Sequence, residues 1–399
     1  MGDQLTTDLL LAACADDSSD AALRFDAELE PIGGPGSPVS PPTYEGGFQA
    51  DKRWASVDAE QPVDVISMSN NPDGANRVEE ANRRAARALG LPELVLDLSG
   101  IETLPPHVPA QLSSWQFPHR AADAYLRDAE IDGVDLLKTE VGRNILNATP
   151  WTAGPLLAWF PQALAHGFWQ SHLGKKRSNA KHARAWTSEI IGWNPAVVSD
   201  HIRRQGLKGD PLNLSIDEKA TSNPDDQTTW EFGKGTVKDG KADKLSNLGH
   251  GQVPFMGGGA GALAGVSFTR ITQQATLSFP QLRRVSLGTD QPDHDAAARA
   301  LVAAVALHGH VAAFGRPFAL RSGADLVPVS QTLTHLGGAG ATALDLPSLE
   351  DARALVTTAI EHARSLDLPL DGWGREPLRL TPKAKLADAI RSTWPLGDL

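Results

Sequence analysis

His250 lies between glycines, in Gly249-His250-Gly251, and three roles suit an imidazole so placed. It could act as general base in RNA cleavage, stack on a base, or simply occupy a turn. The chain continues through Gln252 and Phe255 into a glycine-rich tip, Gly257 to Gly265. Residues without Cβ allow turns and close approaches that other residues resist. Beyond the tip a strand is expected, with Val266, Phe268 and Arg270 on one face and Ser267, Thr269 and Ile271 on the other. The segment then runs past Gln273 and Gln274 to Arg283 and Arg284. A glycine-tipped arm ending in paired guanidinium groups suits contact with a polyanion. His250, Gln252, Gln273, Gln274, Arg283 and Arg284 are its candidate contacts.

A second concentration of chemistry lies between His166 and Lys208. Lys175, Lys176, Arg177, Lys181, Arg184, Arg203, Arg204 and Lys208 stand there against two acids, Glu189 and Asp200. Trp169, Trp186 and Trp193 and four histidines share the window. Cations and aromatic rings together are what single-stranded RNA requires, since one meets phosphate and the other stacks on bases. Lys175, Lys176, Arg177, Lys181 and Arg184 are therefore candidate phosphate contacts, and the bland alternative is a solvated loop. Asn76, Arg77, His119 and Arg120 carry the same two readings.

Other motifs exclude more than they suggest. Gly257-x-Gly259-x-x-Ala262 has the outline of a dinucleotide fingerprint, but a strand pattern follows it and no acid stands near residue 280. The chain has no P-loop, no Gly-x-Ser-x-Gly elbow and no His-Glu-x-x-His helix. His308-x-His310 is not a metal pair on a helix, because i and i+2 point to different sides. His308, on an apolar helical face, reads as a core histidine. No metal or other cofactor is expected.

These residues sit in a chain of 399 residues with 41% apolar and 21% charged side chains, the profile of a soluble globular protein. No stretch of 18 apolar residues occurs, and acidic residues near Leu9 to Ala15 do not fit a signal peptide. Cys14 is the lone cysteine, so a reducing cytoplasm is the expected location, with no membrane partner. The net charge of −11 opposes casual polyanion binding and makes the local basic clusters more informative.

The pattern predicts a loop over 33–50 and helices over 76–89, 118–127 and 154–164, the last limited by Pro161. Strands are expected over 164–172 and 183–191, and an exposed insertion or hairpin over 209–250. A long helix follows over 296–314 with Asp293 as its cap, then a strand over 317–329. Two helices close the chain, over 349–366 and 383–391. Strands and helices interleave without a βαβ rhythm, so an α+β fold is expected.

In order, these segments resemble the CRISPR-associated RAMP superfamily, specifically the backbone subunit of the subtype I-G (formerly I-U) Cascade effector. The resemblance rests on Ser69-Asn70-Asn71 through Asn76-Arg77-Val78-Glu79, Pro118-His119-Arg120, and His166-Gly167-Phe168-Trp169-Gln170-Ser171-His172. It extends to Trp186–Ile190, Gly249–Pro254, Gln273–Ser278 with Leu282-Arg283-Arg284, and Leu320-Arg321-Ser322. Residues 33–62 and Pro72-Asp73-Gly74 depart from it by their length. The resemblance implies a single RAMP-type domain over 1–399, an RRM-like (ferredoxin-like) palm with an inserted β-hairpin thumb and helical insertions. The thumb region would fall in 209–265 and a helical extension in 345–399. It adds Asn71 and His166 to the candidate RNA contacts. The implied role is a non-catalytic CRISPR-RNA-binding subunit that lines up with further copies of itself and other Cascade subunits, presenting the guide to target DNA. The rival is a CRISPR-RNA-processing endoribonuclease of the same superfamily, with His250 or His166 as acid/base.

Overall fold

A computed structural model describes residues 3–44, 47–102, 104, 108–169, 181–196, 219–223, 225–233, 240–245, 248, 265–320 and 322–393. Its centre is an eight-stranded sheet. The strands are β1 (Ala22–Pro31), β2 (Ala50–Arg53), β3 (Val63–Ser69), β4 (Trp186–Trp193), β5 (Arg270–Ser278), β6 (Phe318–Leu320), β7 (Ala324–Gly337) and β8 (Gly340–Leu344). They lie in the order β6-β7-β1-β5-β4-β3-β2, with β8 also on β7, and each pairing is antiparallel.

Alternation sets the two faces of this sheet. On β5, Ile271, Gln273, Ala275 and Leu277 are buried, while Arg270 and Gln274 are exposed and Thr272 and Thr276 half-buried. The buried side faces helices α2 (Asn71–Leu89), α3 (Pro161–His166) and α4 (Pro292–Phe314), and α1 (Thr7–Cys14) and α5 (Leu349–Ser365) pack on α4. Ile271 thus joins the buried face and Arg270 leaves it, which corrects the expected phase. The ladder begins only at Arg270, so Val266 and Phe268 are buried ahead of the regular pairing.

Helix α2 begins at Asn71, ahead of the expected start. Asn70 caps it, its side chain accepting from the Asp73 N–H at 3.1 Å, and a proline stands in the first turn. Gly90, left-handed at φ 63°, closes it. Helix α4 is long and apolar enough to cross a membrane, but it is the core helix here, buried along nearly its whole length between the sheet and its neighbours. Its Gly309 is needed by close approach: a Cβ would meet Val78 Cγ1 at 2.5 Å and Asn82 Nδ2 at 2.7 Å on α2. Asp293 lies within the first turn and does not cap this helix; Gln291 holds the cap position without a side-chain bond.

Four further expectations are corrected. The segment 317–329 is not one strand but the β6–β7 hairpin, turned at Gly323 with φ 93°. The stretch 164–172 starts as the end of α3, with only Phe168–Trp169 extended among its described residues. The 118–127 helix is two short turns, Arg120–Ala122 and Ala124–Arg127, interrupted where Asp123 caps the second. The 345–399 segment is not purely helical, since Leu378–Pro382 pairs in parallel with Leu94–Asp97 in a second, five-stranded sheet. A small three-stranded sheet of Lys219–Asn223, Asp226–Phe232 and Lys241–Lys244 occupies the expected insertion.

Candidate nucleic-acid interface

The end of α3 builds one side of a cleft. Gly167 follows it at φ 79°, where a Cβ would meet the His182 carbonyl oxygen at 2.7 Å, so the chain turns there only as glycine. It enters a two-stranded ladder in which Phe168 opposes His182 and Trp169 opposes Lys181. Phe168 packs inward, while Trp169 is 59% exposed. The ladder, the Pro118–Arg120 turn, Asn71 and Thr187 enclose about 650 Å³. Asn71, His119, Arg120, His166, Lys181 and Arg184, distant in sequence, all line it.

Their roles within the cleft differ. Arg120 is buried and bidentate to Glu79 at 2.6 and 2.8 Å, and donates a third bond to the Gly167 carbonyl at 3.1 Å. Burial pushes the Glu79 carboxyl up, against the pull of Arg120. Asn71 accepts from the Ser188 N–H at 2.9 Å and so ties α2 to β4. His166 is buried edge-on to Trp186 at 5.4 Å. Burial, then the Arg120 and Arg184 charges, hold its pKa well below the ordinary histidine value, so it is neutral at pH 7. Arg184 is the cation left over. It is exposed, and burial of part of its stem together with Arg120 lowers its pKa. Among the described residues it has no hydrogen-bond or ion-pair partner. Arg284, also exposed, adds its field at His182.

A second hollow, about 540 Å³, lies on the open face of the sheet. Gln273 and Gln274 both belong to its lining, with Arg53, Trp54, Trp193, Arg270, Thr272, Ser330, Thr332 and the acids Asp26, Glu28 and Glu189. Arg270 lies over the Trp193 ring at 4.5 Å, and Trp193 Nε1 donates to Thr272 Oγ1 at 2.8 Å. Gln274 donates to Asp26 at 2.9 Å, whereas Gln273 is buried and donates to Ser188 Oγ at 3.0 Å.

Other nominated residues fall elsewhere. Arg77 pairs with Asp73 at 3.1 Å and donates to the Ala319 carbonyl at 2.8 Å, bracing α2 against β6; exposed Asn76 lines the same separate hollow. Arg283 donates to the carbonyls of Ala13 and Asp20 at 2.8 and 2.9 Å, a structural use of a residue nominated for phosphate. Lys175, Lys176, Arg177, His250 and Gln252, and residues 249–264 of the expected thumb region, lie outside the described residues. His308 is the core histidine expected, with Nδ1 2.7 Å from Asn82 Oδ1. The described residues contain no cluster able to hold a metal ion. Cys14 is buried, and burial pushes its thiol up to about 12, which leaves it unreactive. Trp54, Trp193 and Arg270 were not among the nominated residues; the exposure of Trp54 and the Arg270–Trp193 contact are tertiary features, which sequence spacing does not report.

Residues 23–197, which supply β1 to β4, α2, α3 and the whole cleft, match the family described as CRISPR-associated protein GSU0053. The match spans under half of the chain and supports a CRISPR-associated protein of the subtype I-U/I-G kind that its sequence resembles. No curated protein matches it.

Proposed function

We propose that this chain is a CRISPR-RNA-binding backbone subunit of a type I Cascade-like antiviral effector, which assembles in several copies along the guide and presents it to target DNA. The observation that carries this reading is the cleft, where Glu79 neutralises Arg120 and leaves Lys181 and Arg184 facing solvent beside an exposed Trp169. Such a site offers cations to a phosphate and a ring to a base, contacts that every sequence can make. That is the requirement on a protein that leaves sequence reading to the guide. The strand order β7-β1-β5-β4, with α2 between β1 and β4 and α4 between β5 and β7, supports an RRM-like palm.

The reading is non-catalytic. His166 supports it, since a fully buried, neutral imidazole with no carboxylate partner among the described residues is poorly placed to exchange protons with a substrate. Purified protein incubated with a guide RNA in chelator tests both parts. Retention of intact RNA, weakened in Arg184→Glu and Lys181→Glu variants, is expected. Absence of binding, or shortening of the RNA by the pure protein, would overturn the reading.

A further inference from the structure

We infer that the open face of the sheet is a second nucleic-acid site, one that holds an unpaired base by stacking on Trp54 and Trp193 beside Arg270. The inference rests on the RNA-binding reading and adds to it the part of the molecule that meets bases.

Three observations carry it. The first is exposure: Trp54 is 59% exposed beside β2, on the rim of a hollow that Trp193 also lines. A soluble chain gains nothing in stability from a large ring left in water, and stacking on a base is a use for it. The second is the state of Trp193. Its Nε1 is already satisfied by Thr272 and its ring carries Arg270, so the indole is fixed in orientation beside a guanidinium plane. A guanidinium plane beside an aromatic ring is itself a stacking surface.

The third observation is charge. Arg53 and Arg270 line the hollow against Asp26, Glu28 and Glu189, and Arg53 is paired with both Asp51 and Glu189 at 3.0 and 3.4 Å. Asp26 is engaged by Arg24 at 2.8 Å as well as by Gln274. Phosphate would meet more carboxylates than cations here. A neutral base would not, and Gln274, Thr272, Ser330 and Thr332 offer both donors and acceptors to its edge. The volume suits one or two nucleotides rather than a duplex, whose bases are already stacked on each other.

The test compares a fluorescein-labelled hepta-uridylate with its abasic counterpart, which keeps the phosphates and lacks the rings. The native protein is expected to bind the uridylate more tightly and to lose tryptophan fluorescence on doing so. Trp54→Ala should weaken uridylate binding about tenfold, the effect of removing one stacking ring, and leave the abasic chain and the salt dependence unchanged. Arg270→Lys keeps the charge but not the plane, and should act the same way on a smaller scale. An unchanged thermal transition in Trp54→Ala confirms that its fold is intact. If both oligomers bind but the variants weaken neither, or weaken both equally, the sheet face is not a base site and the cleft reading stands. If neither oligomer binds the native protein, the RNA-binding reading itself falls, and this site with it.

Discussion

The cleft beneath α3 and the hollow on the sheet share strand β4 as a border, yet their charges are arranged in opposite ways. In the cleft, Arg120, Lys181 and Arg184 line the wall, Glu79 is buried against Arg120, and Arg184 has no partner among the described residues. On the sheet, carboxylates outnumber guanidinium groups along the lining, and Trp54 is the ring that stands exposed beside a half-buried Trp193. A surplus of unpaired cations attracts phosphate over a Debye length, whereas compensated charge beside rings acts only on contact. The difference teaches that a basic or an aromatic residue is informative only together with the partners that consume it.

The largest expected effect lies under the cleft. Glu79→Gln leaves Arg120 buried without its counter-ion, and should cost about 3–5 kcal/mol in urea unfolding. A loss below about 1 kcal/mol would mean that the pair does not hold the cleft together.

Acid should act next, on the core that supports both surfaces. Burial lowers His310 to about 3, and burial with Arg353 lowers His308 to about 4. His310 packs on Phe25, Trp186 and Phe314, directly beneath the sheet. Both rings are neutral in the folded protein and titrate near 6.5 once unfolded, so below that pH the unfolded chain binds more protons. The stability they contribute is complete above about pH 6.5 and is lost as pH falls toward their folded values, at about 2 kcal/mol each by pH 5. Unfolding at pH 7 and pH 5 measures this, and His310→Gln should flatten the difference. Both kinds of RNA contact should fail together in acid. Loss of one alone would show that the two surfaces are supported separately.

The adjacent arginines sharpen the same contrast on a smaller scale. Arg283→Ala should destabilise by about 1.5–3 kcal/mol, since two carbonyls lose a charged donor. Arg284→Ala should leave the unfolding transition in place. The smallest effect is a change of slope. Arg184→Ala and Lys181→Ala should each reduce the salt dependence of RNA binding by about one unit or slightly less, while Arg53→Ala on the sheet should not. Equal slopes in all three variants would erase the distinction between the surfaces.

Much of this was legible in the residues. The basic-aromatic window pointed to Lys181 and Arg184, and helical spacing identified α4 and the core role of His308. Capping chemistry explains the missed start of α2, because Asn70 and Pro72 act through backbone geometry ahead of any apolar repeat. The β6–β7 hairpin was read as one strand since its alternation runs across a turn at Gly323. Arg77 and Arg283 looked like polyanion contacts because sequence shows a guanidinium but not the carbonyl that accepts from it.

By itself the amino-acid sequence determined the class of fold, the local excess of cations in an acidic chain and a resemblance later matched over residues 23–197. Those properties are local or additive, so they survive without coordinates. Only the tertiary structure decided which cations remain unspent and which rings stay in water. Arg120 is neutralised by a carboxylate 41 positions away, and Trp193 is oriented by a threonine 79 positions away. Contacts of that separation exist only once the sheet has brought distant strands side by side.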